Sequence, residues 1–349
     1  MSTTAANKKI FGTCADGMKA HIYSIKNSSG MEANISDFGG VLVSLIVKDR
    51  NGRKCDVVTG YDTLKEYEAD TAYFGALVGR CANRIKGGRF NIDGMEYDVS
   101  RNEGKNHLHG GQYGFNKRIW HAEQTAPDTL KLTLFSPDKD QGYPGNLIVC
   151  VVYKVTEDNA LDIAYSGFSD KKTVFNMTHH AYFMLGGQNE DSILDDFLRI
   201  RADAVTEIDN ELIPTGRITD VGGTPFDFRE MKKIGRDIGA GNTQLIYGNG
   251  YDHNFIIKSK NGEPCAEAYC ESTGIYMSVY TDLPGLQLYT GNHLSGMTVK
   301  GGRKAERHSA FCLEAQYFPD AVNHAHFAQP VIESGEYRAY STRYAFSVK

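Results

Sequence analysis

The sequence predicts an all-β protein: a large antiparallel β-sandwich with few short helices, spanning residues 1–349 as a single domain. Three observations carry this expectation. Apolar runs of strand length are punctuated by Asn-Gly, Asp-Gly and Ser-Gly turns. The chain holds 20 Tyr and 17 Phe, which favour pleated surfaces, and 37 Gly, as many tight turns require. No strand–helix–strand alternation occurs, which disfavours a doubly wound parallel sheet.

The elements follow in order. Residues 1–9 read as loose or as an edge strand. Residues 41–47 (VLVSLIV) form a β run that Asp49-Arg50-Asn51-Gly52 turns into residues 56–59. Residues 90–92, Asp93-Gly94 and residues 95–99 repeat the device. Residues 131–135, 147–155 and 161–165 continue the strands. Asn261-Gly262 reads as the turn between residues 254–257 and 266–270. Residues 275–280 follow, and Ser334-Gly335 leads into residues 337–348. Helix signals are few: a capping box at Thr63-x-x-Glu66 and a second helical stretch within residues 228–238.

Bulk properties narrow the function. The net charge is −5 with both signs interspersed and no basic block, so nucleic acid is not an expected partner. No stretch approaches the length of a membrane span, and the first eleven residues lack an apolar signal core. Seven scattered cysteines without a C-x-x-C pair read as reduced thiols in a cytoplasmic protein.

Five polar stretches do not fit a core. In residues 311–316, alternation puts Phe311, Leu313 and Ala315 on one face and Cys312, Glu314 and Gln316 on the other. Glu314 and Gln316 either satisfy each other or line a cavity that holds something polar. Arg80, Asn83 and Arg84 follow an apolar run and either grip hydroxyls or a carboxylate or form a solvated strand end. His107 and His109, at i and i+2, face the same way on a strand and read as a metal site, a sugar site or a polar loop. Gly110 and Gly111 indicate close approach of a ligand or another backbone. In residues 176–183, His180 shares a face with Asn176, Thr178 and Tyr182, whereas His179 falls among apolar side chains as a satisfied structural histidine. Asp252, beside Asn249-Gly250, is a turn residue or a ligand for hydroxyl groups. No Walker A, G-x-G-x-x-G or G-x-S-x-G motif occurs. The set that remains suits proton transfer on a polar neutral molecule.

Seven motifs occur in a familiar order: Gly79-Arg80-x-x-Asn83-Arg84-Ile85, Leu108-His109-Gly110-Gly111, Gly142-Tyr143-Pro144-Gly145, Asn176-Met177-Thr178-x-His180-x-Tyr182-Phe183, Gly250-Tyr251-Asp252-His253, Gln287-x-Tyr289-Thr290-Gly291-Asn292 and Leu313-Glu314-x-Gln316-x-x-Pro319-Asp320-x-x-Asn323. Together they closely resemble the aldose 1-epimerase (galactose mutarotase) family, over nearly the whole chain. The resemblance implies the galactose mutarotase-like supersandwich with a monosaccharide in an open cleft, no cofactor and no metal, in a monomer or homodimer. It implies Glu314 as catalytic base and His180 as acid, with Arg84, His109, Asp252, Gln287 and Asn83 binding sugar hydroxyls. His107 matches no functional position of the family. His179 departs from the family's common Asn, and Tyr317-Phe318 lies on variable ground.

The implied reaction interconverts the α and β anomers of a free aldohexose such as glucose or galactose. It needs an ionised Glu314 and a protonated His180, with burial raising the Glu pKa and a nearby carboxylate raising that of His. Alternatives are a non-catalytic sugar-binding or regulatory protein of the same fold and a hexose-6-phosphate 1-epimerase, which should show extra basic residues beyond Arg80 and Arg84. A metal-dependent β-barrel isomerase built on His107 and His109 lacks the acid expected shortly after the pair.

Overall fold

The computed structural model describes residues 8–188, 190–258 and 262–349. Residues 1–7 lie outside that range, so the expectation for residues 1–9 is met only by its end: Lys8–Thr13 is an edge strand.

Three antiparallel sheets dominate. Lys8–Thr13, Lys19–Lys26, Glu32–Ser36, Leu42–Lys48 and Lys54–Asp56 form a five-stranded meander. A nine-stranded sheet runs in the order His121–Ala126, Thr129–Ser136, Leu147–Val155, Ala160–Ser169, Tyr337–Val348, Ile275–Thr281, Ala266–Tyr269, Phe197–Ile200, Lys232–Lys233. A second five-stranded sheet runs Pro214–Asp220, Ala202–Ile208, Asp252–Ile257, Gly285–Tyr289, Cys312–Gln316. One apolar cluster joins all three: Ile35 and Leu45 from the meander, Val151, Ile163 and Tyr344 from the large sheet, and Leu286, Leu288 and Leu313 from the last. Each such buried side chain contributes on the order of 1.5–3 kcal/mol. The chain is therefore the β-sandwich that its alternation predicts.

One local expectation holds and two change. The capping box is present, and Thr63 caps the helix Leu64–Ala69. Residues 228–238, however, hold only the short ladder strand Lys232–Lys233 and a single turn of 3₁₀ helix, Ile234–Arg236. There the Ile234 and Gly235 amides donate to Asp196 O and Leu194 O instead of closing helical turns. The second α-helix is Thr243–Gly248, capped by the Asn242 side chain and ended by Asn249 in the left-handed region. Finally, Asp252–Ile257 and Ala266–Tyr269 belong to different sheets, so the segment between them crosses the sandwich rather than closing a hairpin. Asn261, part of the expected turn, lies outside the described residues.

Cys312–Gln316 is the last strand of its sheet. Its outer edge runs along the 176–183 segment. Phe183 and Phe311 exchange backbone hydrogen bonds of 2.7 and 2.9 Å, and Tyr317 N donates to Asn176 Oδ1 at 2.9 Å. That contact brings His180 to Glu314.

Candidate active site

Three adjacent strands carry three of the expected residues. Gln287 pairs directly with Glu314 and with Asn254, and Asp252 pairs with Tyr289, two positions along. Period-2 alternation therefore sets Asp252, Gln287 and Glu314 on one face, while Leu286, Leu288, Leu313 and Ala315 face the core. Gln287 Nε2 donates to Asp252 Oδ1 at 2.6 Å, and Gln316 Nε2 donates to Gln287 Oε1 at 3.4 Å. Glu314 and Gln316 thus do not satisfy each other. Glu314 Oε2 has no partner among the described residues, and its carboxylate lines a cleft of about 280 Å³. Of the two sequence readings, the cavity is the one realised.

A short ladder supplies the opposite wall. Arg84–Ile85 pairs antiparallel with His107–Leu108. Just outside it, Asn83 and His109 adopt left-handed backbone, φ 62° and 51°. His109 N donates to Asn83 O at 3.0 Å, and Asn83 N donates to His109 Nδ1 at 3.2 Å. With Nδ1 accepting, the neutral ring carries its proton on Nε2 as a donor. Gly110 resolves its own ambiguity: a Cβ there would stand 1.8 Å from Gly79 O, so the close approach is to backbone.

Arg84 is held by a fork of two 2.7 Å bonds to Glu103 and lies 3.9 Å from Asp252 Oδ2. Burial opposes its charge, yet Asp252 and Glu103 outweigh burial and raise its pKa. Burial also raises the Asp252 pKa, against the pull of Arg84 and Gln287.

His180 and Glu314 meet at the cleft floor, with His180 Nε2 3.7 Å from Glu314 Oε1. His180 is stacked on Tyr182, ring centroids 5.0 Å apart, with Tyr73 beyond at 6.0 Å and His109 edge-on at 5.2 Å. Its Nδ1 faces Cys312 Sγ at 3.5 Å. Desolvation raises the Glu314 pKa well above the carboxylate range, and Asp252 adds to the shift. Desolvation also pushes His180 down to about 4. The small upward push that a protonated His180 would need is therefore not found, because burial outweighs the one backbone hydrogen bond that opposes it.

All seven expected residues, Asn83, Arg84, His109, His180, Asp252, Gln287 and Glu314, come together, and all but Gln287 line the cleft directly. Other candidates do not join them. Arg80 is buried and donates to Ser136, Pro137 and Pro144 carbonyls at 2.8, 2.8 and 2.9 Å. His107 and His109 do not face the same way, since the strand ends at Leu108 and His109 turns away. His107 Nδ1 donates to Ser100 O at 2.6 Å, and Nε2 accepts from Tyr143 at 2.7 Å. His179 packs edge-on against Tyr153, and neither ring nitrogen has a partner among the described residues. It is structural but not satisfied, contrary to expectation.

Tyr73, Glu103, His293 and Leu212 also line the cleft, and nothing in the sequence singled them out. The usable signal for Glu103 was the buried Arg84, which needs a carboxylate. Among the described residues, two groups of side chains could hold a metal. His109, His180 and Glu314 offer donor atoms within 4.8 Å of one another, so the acid missing after His109 arrives from a distant strand. Glu190, Asp196 and Cys270 form the second group.

Comparison with known proteins is consistent with this geometry. The family profile described as aldose 1-epimerase matches residues 21–345. The galactose mutarotase of Sus scrofa is 40% identical over 347 residues, 99% of each chain. The aldose 1-epimerase of Escherichia coli (strain K12) is 34% identical over 95% of this chain and 96% of its own. Among solved structures, an aldose epimerase homologue from C. elegans superposes with a TM-score of 0.88 at 31% identity, covering 94% of this chain and 99% of its own. The galactose 1-epimerase of Lactobacillus acidophilus NCFM gives a TM-score of 0.88 at 27% identity over 99% of both chains.

Proposed function

The chain belongs to the aldose 1-epimerase family, and on that premise we propose how its cleft interconverts the two anomers of a free aldohexose. It is an isomerase with aldose 1-epimerase activity on monosaccharides. The assignment of roles rests on one observation: His180 Nε2 and Glu314 Oε1 stand 3.7 Å apart at the floor of a cleft walled by hydroxyl-binding groups.

Glu314 accepts the proton of the anomeric hydroxyl while His180 donates to the ring oxygen. The C1–O5 bond breaks, the aldehyde end turns about C1–C2, and the ring recloses. His180 then takes back the proton of the C5 hydroxyl, and Glu314 returns its own to the new anomeric oxygen. Arg84, Asp252, Gln287, Asn83 and His109 Nε2–H hold the other hydroxyls, so that rotation is confined to C1.

The pKa directions add a step to this account. After ring opening the pair holds one proton on Glu314 and none on His180. Burial favours that same arrangement in the empty cleft, raising Glu314 and lowering His180. The protein environment is thus matched to the open-chain intermediate rather than to the closed sugar, as catalysis by differential stabilisation requires.

The regulatory-protein alternative is not favoured, because both proton-transfer groups are present and in register. The hexose-6-phosphate alternative finds no free cation in Arg80, which is bonded to backbone carbonyls, or in Arg84, which is bonded to Glu103. The test is polarimetry on freshly dissolved α-D-glucose and α-D-galactose. Acceleration of mutarotation by the wild-type chain, abolished in Glu314→Gln, is the expected result. Sugar binding without turnover by the wild-type chain would return the regulatory reading.

A further inference from the structure

We propose that Glu190, Asp196 and Cys270 form a binding site for a thiophilic divalent cation, outside the sugar cleft. Asp196 immediately precedes the strand Phe197–Ile200, and Cys270 immediately follows Ala266–Tyr269. The two strands are antiparallel neighbours with Phe197 opposite Tyr269, so the register places Asp196 and Cys270 at the same end of one strand pair. Glu190 comes from the connection after Tyr182–Phe183, and Ser272 from the turn before Ile275–Thr281. None of these residues lines the sugar cleft.

The carboxylate and thiol donor atoms of the three side chains lie within 4.8 Å of one another. Cys270 Sγ stands 3.6 Å from Glu190 Oε2 and 3.2 Å from Ser272 Oγ. Tetrahedral zinc, with Zn–S near 2.3 Å and Zn–O near 2.0–2.2 Å, separates its sulfur and oxygen ligands by roughly 3.5 Å. The observed spacing is already that of two ligands on one cation.

The second observation concerns Asp196. The residue is 3% exposed, and its Oδ2 has no hydrogen-bond partner among the described residues. Neither its carboxylate nor that of Glu190 is ion-paired with any described Lys, Arg or His; the nearby Arg303 reaches Asp191, the Glu190 backbone carbonyl and Met184 Sδ instead. Two carboxylates gathered beside a thiol without a cation are costly. A divalent ion relieves that cost, displacing the Cys270 thiol proton to solvent and taking Glu190, Asp196 and Cys270 as ligands. The Ser272 hydroxyl or a water completes four-coordination. Soft thiolate with hard carboxylates suits zinc and its heavier congener cadmium rather than calcium or magnesium. The ion would tie the 184–196 connection to the 270–274 turn.

The test is titration of the full chain with cadmium chloride, read as the ultraviolet thiolate-to-cadmium absorption band. A saturable band with one cadmium per chain is expected. Cys270→Ala should remove it, Glu190→Gln should weaken binding about tenfold or more, and His180→Asn should leave it unchanged. Zinc should compete with cadmium for this band and raise the Tm of the wild type more than that of Glu190→Gln. No band in the wild type overturns the proposal. So does a band that survives Cys270→Ala and is lost in Cys312→Ala, which would place the ion in the sugar cleft. Glu190 is partly exposed, so Glu190→Gln decides the matter even if Cys270→Ala fails to fold: unchanged affinity overturns the site.

Discussion

Gln287 is the direct cross-strand neighbour of Glu314, yet its amide turns away and donates to Asp252 at 2.6 Å. The two proposed binding groups are thus bonded to each other, while Glu314 Oε2 is left without a partner among the described residues. Glu314→Gln removes the proton acceptor and leaves that amide chain in place. Turnover should fall by about two to four orders of magnitude, the usual range for a general base. Sugar affinity, read by calorimetry, should persist. His180→Asn should behave likewise, and the double variant should lose far less than the product of the single losses. A folded Glu314→Gln protein within a few-fold of wild type by polarimetry would remove Glu314 from the role of base.

The pH profile follows from the pKa directions. The one-proton state of the pair is active, so kcat/KM should be bell-shaped. With His180 depressed to about 4, the acid limb belongs to the imidazolium. With Glu314 raised, the basic limb belongs to the carboxyl. This reverses the assignment that ordinary pKa values suggest. Histidine-ring NMR of the free protein at about pH 6 should find His180 neutral. An imidazolium signal there would contradict it.

Arg84, proposed to bind the sugar, is held by a fork on Glu103. Arg84→Ala should raise KM and lower kcat together, since it misplaces the ring as well as weakening its binding. Glu103→Gln keeps one acceptor and should act in the same direction more weakly, mainly on KM. Initial-rate kinetics on galactose separate the two.

His179 makes an acid-labile contribution to stability. Burial lowers its pKa to about 3, against about 6.5 in the unfolded chain. Below about pH 6.5 the unfolded chain binds a proton that the folded chain refuses, so stability is fully present above that pH and is lost as pH falls toward 3. At about pH 5 the loss is on the order of 2 kcal/mol. His179→Phe keeps the packing against Tyr153 and removes the ionisation. Its Tm should therefore fall less than that of the wild type between about pH 7 and pH 5.

The reaction as written routes no step through a metal, so exhaustive EDTA treatment should leave polarimetric turnover intact. Excess zinc should instead inhibit competitively with sugar, because His109, His180 and Glu314 present three donors within 4.8 Å. Loss of activity on chelation, restored by zinc, would overturn the acid–base account.

Much of the fold was legible because strand periodicity is local. Residues 147–155 form a strand with the bounds expected. The shared face of Cys312, Glu314 and Gln316 was legible for the same reason, as was the separation of His180 from His179. What failed was set by tertiary context. The common orientation of His107 and His109 assumed a strand that ends one residue too early, at a left-handed His109. The His180 pKa was not legible at all, because a pattern of residues shows a neighbouring carboxylate but not the depth of burial. Glu103 and Tyr73 enter the cleft through the fold alone, without any periodicity of their own.

The strand that carries Glu314 is the terminal one of its sheet, and the segment that carries His180 lies along its open side. The residue proposed as catalytic acid therefore rides on the piece of chain that covers a free β-edge. Such an edge, with Phe311, Leu313 and Ala315 beside it, would otherwise be a template for pairing with other molecules. Substitutions that loosen residues 176–183 should thus be recovered as precipitate rather than as soluble inactive enzyme. Selection for solubility and selection for turnover act here on the same eight residues.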